Sequence, residues 1–249
     1  MKIAILSDIK SNVYALEEVI KDARNKEVDA ILNLGDSFLG PIEPKATYDL
    51  IRENKIITIM GNEDRAILEA SSAQLEVNDI LKYVYNDLGE DVLYWIQDLG
   101  FEKLIGEDFY MIHGTYNDDS EYMLEDISSG YAVLKNDKKI LEIIDDIKSK
   151  FVMCGNSCIP RCANLSSGQV VINPGSVGLQ AFKNNHPKKH IIQNNKNEAS
   201  YVVLSVEEQE YAIELVNVKY DYEKAALKAE ENGRKDWAYS LRTGKVLNK

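Results

Sequence analysis

Histidine and cysteine are scarce in this chain of 249 residues, which contains three of each. The cysteines all fall between positions 154 and 162 with the spacing C-x3-C-x3-C. An odd number in so short a segment does not suggest the disulfide framework of a small secreted protein. The spacing also differs from the C-x2-C pairs of structural zinc sites. We therefore predict a reducing, cytoplasmic compartment.

Basic residues are also few, because 29 Lys and Arg residues accompany 41 Asp and Glu residues, for a net charge of -12. This balance argues against a protein that binds nucleic acid through a basic surface, since Lys and Arg supply most of the affinity for phosphate backbones. It is compatible with a cation-binding site. No run approaches the roughly 18 apolar residues of a membrane span. We expect neither nucleic acid nor membrane as a partner.

Several organising patterns are missing as well. The sequence contains no G-x4-G-K-S/T and no G-x-G-x-x-G motif, so the common nucleotide-binding folds are unsupported. It has no internal repeat and no linker rich in Pro, Gly and Ser. We therefore predict a single domain over residues 1–249.

Apolar runs alternate with amphipathic helices in the first third of the chain. Residues 2–7, 30–34 and 56–60 are predicted strands. Asn12 is placed to cap a first helix, and a second helix follows Pro44. This alternation indicates a parallel sheet with right-handed crossovers. Each strand leads into a polar motif at its carboxyl end, which is where open α/β sheets place their ligands.

The remaining chain is predicted to mix helices and strands. Apolar residues at helical spacing predict one helix through Val92, Ile96 and Leu99 and another through Ile140, Ile144 and Ile147. Further predicted elements are strands at 109–112, 151–153 and 170–172, a hairpin of 201–206 with 211–218, a helix from about Tyr222, and a solvated loop at 183–197.

Five short motifs follow predicted strands, and together they indicate a function. They are SDIKSN at 7–12, GD at 35–36, GNED at 61–64, MIHG at 111–114 and CGNSCIP at 154–160, and NPGSVG at 173–178 comes after them. Each motif alone is weak, because Asp and Asn at a strand end are usually turn residues. As an ordered set they resemble the metal-ligand motifs of the calcineurin-like metallophosphoesterases. The resemblance runs from Met1 to about Gly178.

This resemblance implies an α/β fold, the calcineurin-like αββα sandwich of two mixed β-sheets flanked by helices. It also implies roles residue by residue. Asp36 matches the aspartate that bridges two metal ions, and Asp8 matches a carboxylate ligand of the first ion. Asn62 and His113 match ligands of the second ion. Two ions about 3.5–4 Å apart clamp the phosphoryl oxygens in such centres.

Three positions depart from the family pattern, since Lys10, Asn156 and Cys158 stand where it has metal-binding histidines. A protonated ammonium cannot ligate a metal. Lys10 lies two residues beyond Asp8, so in an extended segment it would face the same side and could pair with Asp8 and Asp36. Cys158 could bind zinc as a thiolate, or it could be a small buried thiol. We predict that the first metal site is empty.

The second site keeps more of its predicted ligands. Asp36, Asn62 and His113 remain, and Asn156 could offer an amide oxygen. Oxygen-rich shells favour Mn, Mg or Fe ions over zinc, so we predict one such divalent ion per chain. Glu63 stands where many family members have a histidine that acts on the leaving group or on phosphate. A carboxylate there repels phosphate unless it is protonated.

Two functions remain open at this stage. The first is a hydrolase of phosphomonoesters or phosphodiesters with an impaired or single-metal site, in which Lys10, Asp36, Asn62 and Glu63 are the candidate catalytic residues. The alternative is a catalytically inactive pseudoenzyme that binds phosphate or a nucleotide through Lys10, Asn62 and the segment at Asn12. Either reading makes a small phosphorylated molecule or nucleotide the expected partner.

The other two histidines, His186 and His190, could compensate for missing ligands if their loop lay near the site. Their spacing of four residues straddles Pro187, so they do not form a helical ligand pair. A plain surface loop is the simpler interpretation.

Overall fold

The structure, a computed structural model, describes residues 1–185, 188–208 and 210–247. In chain order, its strands are β1 (Lys2–Leu6), β2 (Ala30–Asn33), β3 (Ile57–Thr58), β4 (Glu102–Ile105), β5 (Phe109–Ile112), β6 (Glu125–Asp126), β7 (Val133–Leu134), β8 (Phe151–Met153), β9 (Pro160–Asn164), β10 (Val170–Pro174), β11 (Ala181–Asn184), β12 (His190–Gln193), β13 (Ala199–Glu207) and β14 (Glu210–Val218). Its helices are α1 (Val13–Asn25), α2 (Pro44–Glu53), α3 (Asn62–Leu68), α4 (Ser72–Val77), α5 (Asp79–Leu88), α6 (Glu90–Gln97), α7 (Asp137–Ile143), α8 (Tyr222–Glu231) and α9 (Lys235–Thr243).

Two mixed five-stranded sheets form the centre of the fold. The first has the order β14-β13-β1-β2-β3, in which β1, β2 and β3 are parallel and β13 runs antiparallel to both β1 and β14. The second has the order β4-β5-β8-β10-β9, with parallel β5, β8 and β10 between two antiparallel edge strands. The predicted αββα architecture is confirmed.

The alternation of side chains along β1 explains how the layers are held together. Ile3 and Ile5 belong to the core between the two sheets, whereas Ala4 and Leu6 belong to the core under the helices. Successive side chains of a strand point to opposite faces, so one strand of apolar residues serves both layers. A third apolar cluster packs α7 on the outer face of the second sheet. Within the part of the chain that the structure describes, no helix is long and apolar enough to cross a membrane.

The first helix shows how local sequence sets these elements. Asn12 caps α1, because its side-chain oxygen accepts a hydrogen bond from the backbone amide of Ala15 at 3.2 Å. The buried stripe of α1 consists of Ala15, Leu16, Val19, Ile20 and Ala23, at the spacing of one helical face. Its carboxyl end at Asn25 leads through a short turn into β2.

Some sequence-based element predictions need correction. The segment predicted as a loop at 183–197 instead contributes to the β11–β12 hairpin, in which Phe182 pairs with Ile192. The strand predicted over 56–60 shortens to β3, with two residues. The helix predicted through Ile147 ends at Ile143, although Ile144 and Ile147 stay buried in the third cluster. Apolar spacing marks the buried face but not the last hydrogen-bonded turn.

Candidate metal centre

The polar motifs converge at the carboxyl ends of the parallel strands. Asp8 follows β1, Asp36 follows β2 and His113 follows β5, so both sheets contribute to one cluster. One ligand atom from each of these three residues lies within 4.8 Å of the others, and all three residues are buried. The structure thus brings together side chains that are distant in the sequence, such as Asp36 and His113, which are 77 residues apart. This is the geometry expected of a metal centre.

Left-handed backbone places several of these side chains. Asp8, Lys10 and Asp36 have φ angles of 54°, 48° and 55°, and Asn156 and Cys158 have 66° and 57°. Each such conformation costs about 1–3 kcal/mol for a residue with a side chain, and such strain clusters at functional sites. Lys10 therefore does face Asp8, but through a tight left-handed turn and not through the extended segment predicted from the sequence.

Two glycines let the strand ends approach one another. A Cβ atom on Gly61 would lie 2.3 Å from an Asp36 carboxylate oxygen, and one on Gly155 would lie 2.0 Å from the Ser7 hydroxyl. A side-chain movement cannot relieve the first contact, because the Asp36 backbone nitrogen would also lie 2.4 Å from the added atom. The second could be relieved only by rotating the Ser7 hydroxyl away from Asp8, to which it donates at 2.8 Å. Close packing therefore requires Gly61 and disfavours a side chain at Gly155.

The Lys10 ammonium is buried in contact with three acidic side chains. Its ammonium lies 3.0 Å from Asp36 Oδ2, 2.7 Å from Glu63 Oε2 and 3.4 Å from Asp8 Oδ1. Burial alone would lower the pKa of Lys10, but the carboxylates of Asp36, Glu63 and Asp8 raise it well above the ordinary value. The ammonium is therefore charged and cannot ligate a metal.

Two ligand atoms in this region, Asn62 Oδ1 and His113 Nε2, are buried without a hydrogen-bond partner among the described residues. Asp8 Oδ1 also has no hydrogen bond, but the Lys10 ammonium lies 3.4 Å from it. Buried polar atoms are nearly always paired in native proteins, so the two orphans need an explanation. A divalent ion held by Asp36, Asn62 and His113 explains them, and oxygen donors with one imidazole fit Mn, Mg or Fe better than zinc.

The imidazole is held in place from its far side. His113 Nδ1 lies 2.7 Å from the carbonyl oxygen of Leu34, and His113 Nε2 lies 3.4 Å from Asp36 Oδ1. Burial opposes the charged imidazole, but the Asp36 carboxylate outweighs it and raises the pKa of His113 to about 9. An ion at Nε2 would displace that proton, as ligation requires.

The carboxylates differ in their charge state. Burial alone would raise the pKa of Asp36, but the charges of His113 and Lys10 and a hydrogen bond from the Glu63 amide lower it. The pKa of Glu63 is raised to about 7, first by loss of solvent and also by Asp36, against the attraction of Lys10. Its side chain keeps 31% exposure, which makes it the most open member of the cluster. A partly protonated Glu63 would repel phosphate less.

Asn156 and Cys158 both lie close to Asp8. The backbone amide of Asn156 donates to Asp8 Oδ2 at 3.2 Å, and its side-chain nitrogen donates to the carbonyl oxygen of Asp119 at 3.2 Å. Burial, with the nearby Asp8 charge, raises the pKa of Cys158 well above its ordinary value. A neutral thiol is a poor metal ligand. The ligand roles of both residues stay predictions.

Asn12, predicted to contact phosphate, is wholly occupied by structural bonds. Its side-chain nitrogen donates to the carbonyl oxygen of Gly178 at 2.9 Å and to the Tyr220 hydroxyl at 3.3 Å, while its oxygen caps α1. The backbone amides from Lys10 to Val13 also donate to carbonyl oxygens of the protein. A role of Asn12 in binding phosphate stays a prediction.

Of the two histidines considered as substitutes, His186 lies outside the described residues. His190 is buried, with Nε2 2.8 Å from the Tyr122 hydroxyl and Nδ1 2.7 Å from the carbonyl oxygen of Lys188. Both of its nitrogens are therefore engaged within the protein.

Sequence reasoning gave no role to Asp64 and Arg65, which follow Asn62 and Glu63 on α3. Buried Asp64 accepts hydrogen bonds from the backbone amides of Ser37, at 2.9 Å, and Gly61, at 3.2 Å, so it ties the loops after β2 and β3 together. Arg65 makes a bidentate ion pair with Asp119, at 2.7 and 2.8 Å. The aspartate that ends the GNED motif could have indicated the contacts of Asp64. The pair of Arg65 with Asp119 is visible only in the structure.

Comparison with known proteins agrees with this geometry. The family model of the calcineurin-like phosphoesterase superfamily domain matches residues 1–209. An uncharacterised protein of Methanocaldococcus jannaschii is 27% identical over 255 residues, which cover 94% of each chain. Among solved structures, a metallophosphoesterase from Sphaerobacter thermophilus matches with a TM-score of 0.76 at 21% identity, over 98% of this chain and 100% of its own.

A hypothetical protein from Pyrococcus horikoshii OT3 has the same fold, with a TM-score of 0.76 at 15% identity over 99% of both chains. These two structural matches extend through the C-terminal helices, whereas the family model ends before them. With two mixed sheets, the ordered motifs at their strand ends and a family match over most of its length, the chain belongs to the calcineurin-like phosphoesterase superfamily.

Proposed function

We propose that this protein hydrolyses phosphomonoesters or phosphodiesters with one divalent ion per chain, and that the ammonium of Lys10 stands in for a second cation. The observation that carries this proposal is the contrast at the centre. Ligand atoms of Asn62 and His113 lack hydrogen bonds, while the Lys10 ammonium has three carboxylate neighbours. One position needs a cation and the other already has one.

The charge balance supports a hydrolase with a metal over a binding protein without one. Asp8, Asp36 and Glu63 surround the ammonium of Lys10, and Asp36 also contacts His113, whose raised pKa keeps it protonated without metal. With all three carboxylates ionised, this group keeps one net negative charge. Such a cluster repels phosphate, since like charges close together in a buried site are strongly unfavourable. A divalent ion at the ligand atoms of His113 and Asp36 cancels that charge.

Asp36, Asn62 and His113 would hold the ion, while Asp8 is paired with the Lys10 ammonium. When bound, it supplies Lewis-acid polarisation of the phosphoryl group. The residues of the chain position the substrate around it. Asp36 contacts both Lys10 and His113 and so fixes the two cationic positions relative to each other. Mn, Mg or Fe ions suit this set of ligands better than zinc.

Lys10 would serve as the electrophilic clamp for a phosphoryl oxygen. Of its three carboxylate partners, Asp8 and Asp36 are buried and Glu63 is partly exposed. Glu63 is therefore the partner that a substrate oxygen can replace at the ammonium. The ammonium donor that Glu63 releases suits a phosphate oxygen, and the contact requires no change in the buried carboxylates.

A small phosphorylated molecule or a nucleotide is the partner that fits this centre. We also propose a cytoplasmic location, which is supported by three cysteines that are all unpaired in the structure.

The test is hydrolysis of p-nitrophenyl phosphate and bis(p-nitrophenyl) phosphate by metal-free protein reconstituted with Mn²⁺ or Mg²⁺. We expect metal-dependent turnover that disappears in Asp36→Asn and persists in Asp49→Asn, a matched change of an exposed aspartate that pairs with Lys45. If no metal gives turnover of either ester while inorganic phosphate still binds, the pseudoenzyme interpretation replaces this proposal.

A further inference from the structure

A large cleft opens from the metal centre toward the C-terminal helices. Its volume is about 1000 Å³, and Lys10 and Glu63 belong to its lining. Pockets of about 300–1,000 Å³ accommodate ligands of drug or nucleotide size. The space is therefore far larger than a phosphate group needs, and it leaves room for a sizeable organic group on the phosphorus.

The lining of this cleft is mainly apolar and includes two aromatic rings. Phe182 of β11 and Trp237 of α9 contribute the rings, and Leu39, Leu179 and Val246 contribute aliphatic surface. The Trp237 ring is only partly buried, so part of its surface is open to a ligand in the cleft.

The cleft also carries positive charge in a strongly acidic protein. Three basic residues line it, Lys183, Arg234 and Lys235, together with one acidic residue of α9, Asp236. The Arg234 guanidinium makes a bidentate pair with Asp236, at 2.8 and 2.7 Å, and lies 5.5 Å from the Trp237 ring centre. Local positive charge raises the concentration of anionic ligands near a site, against a net charge of -12 for the whole chain.

The wall formed by α9 is anchored at both ends, so the cleft is preformed. Before the helix, the side-chain nitrogen of Asn232 donates to the carbonyl oxygen of Pro41 at 2.9 Å. After the helix, the amide of Asn195 donates to the carbonyl oxygen of Gly244 at 2.9 Å. This wall lies beyond residue 209, where the match to the family domain ends. The cleft is therefore built in part from an element outside the family domain, which the two similar solved structures also cover.

From these observations we propose that the cleft is a subsite for a nucleoside, so that the substrates are nucleotides whose base lies against Trp237 and Phe182 while the phosphate lies at Lys10. This inference rests on the proposed function for the position of the phosphate. Flat rings stack on aromatic side chains irrespective of base identity, whereas a sugar phosphate has no group for this surface. The subsite thus selects for an aromatic base more than for a particular one.

Fluorescence of Trp237 can test binding separately from hydrolysis. The chain has two tryptophans, so Trp95→Phe leaves Trp237 as the only one. In the presence of Mn²⁺ and with rapid mixing, we would titrate this variant separately with two ligands, adenosine 5′-monophosphate and ribose 5-phosphate. Stacking predicts that the nucleotide changes the Trp237 emission and binds roughly 10- to 100-fold more tightly than the sugar phosphate.

Matched variants show which side chain causes the preference for the nucleotide over ribose 5-phosphate. By calorimetry, Trp237→Leu should reduce the affinity for the nucleotide to that for ribose 5-phosphate, and the affinity for ribose 5-phosphate should not change. Tyr239→Leu removes another aromatic ring from the same helix, outside the cleft lining, and should leave both affinities unchanged. Phe182→Leu repeats the test on β11 if Trp237→Leu does not fold.

Two outcomes separate this inference from the proposed function. Hydrolysis of p-nitrophenyl phosphate with equal affinity for the nucleotide and for ribose 5-phosphate would overturn the subsite and leave the hydrolase. A nucleotide preference that depends on Trp237, without hydrolysis of any ester, would support the subsite and overturn the hydrolase.

Discussion

The two sides of the metal centre differ in how their buried negative charge is balanced. On the lysine side, formed by Asp8, Lys10 and Glu63, the protein supplies its own cation at 2.7 to 3.4 Å from the carboxylates. On the histidine side, formed by Asp36, Asn62 and His113, ligand atoms of Asn62 and His113 lie buried without a hydrogen bond. Asp36 contacts both sides.

The difference shows what a side-chain cation can and cannot replace. An ammonium neutralises charge and donates hydrogen bonds, but it cannot accept electron pairs from several ligands or act as a Lewis acid. The lysine side can therefore be complete in structure while it is limited in chemistry. Under the proposed function, the histidine side is incomplete in structure until an ion binds, and the catalytic capacity of the centre would depend on that ion.

The largest effect should follow from Asp36→Asn, which removes the charge that both sides share. We expect turnover of p-nitrophenyl phosphate to vanish and Mn²⁺ affinity to fall by more than the roughly 10- to 100-fold that loss of an outer partner costs. Calorimetric titration with Mn²⁺ measures the affinity. Asp49→Asn serves as the control, and unchanged Mn²⁺ affinity in Asp36→Asn would mean that the two sides do not share this carboxylate.

Breaking the lysine side alone should destabilise the metal-free protein. In Lys10→Met, three carboxylates lose their buried partner, and removal of one member of a buried ion pair costs about 3–5 kcal/mol. Thermal unfolding without metal should show this loss. Millimolar Mn²⁺ should restore much of it, since an ion that binds only the folded state stabilises that state. Equal destabilisation with and without Mn²⁺ would contradict the view that Lys10 occupies a cation position.

Breaking the histidine side should affect metal binding more than stability. His113→Gln removes the imidazole ligand, and we expect Mn²⁺ affinity to fall at least about 10-fold. His190→Gln is a matched control in the same chain, because His190 is also buried but both of its nitrogens are engaged by the protein. A comparable loss of affinity in His190→Gln would show that the fall does not report ligation.

The smallest effect should come from the ion pair that flanks the centre. Arg65 is about one-third exposed, so its pair with Asp119 is partly screened and contributes about 1 kcal/mol. Because the Asp119 carbonyl holds the side chain of Asn156, Arg65→Ala should weaken Mn²⁺ affinity by less than 10-fold through Asn156. Asn156→Ala should then make the Arg65→Ala change neutral, which a double-mutant cycle can measure.

Much of the fold could be predicted from the sequence because its signals are local. The alternation of apolar runs and amphipathic helices gave the parallel strands, and Asn12 marked the start of α1 as it does in the structure. The β11–β12 hairpin was missed, since a polar, Asn-rich segment offers no alternation of apolar and polar residues for a strand prediction. In the structure β12 does alternate between buried and exposed residues, and β11 packs against α9.

The candidate site was predictable in its members but not in its contacts. Ordered motifs pointed to Asp8, Asp36 and His113, and the structure brings these together. The contact of Lys10 with Glu63 could not be foreseen, because it depends on a left-handed turn at Lys10 and on the start of α3. Trp237 was also out of reach, since no local pattern places a C-terminal helix beside a site built from strands in the first half of the chain.

Metal content of the purified protein tests the central claim most directly. Elemental analysis after reconstitution with excess Mn²⁺ and removal of unbound metal counts the ions per chain. We predict one ion in the natural sequence and two in the triple variant Lys10→His, Asn156→His, Cys158→His, in which the lysine side regains neutral ligands. Two ions in the natural sequence would contradict the account, because the ammonium of Lys10 would then not stand in the place of a cation.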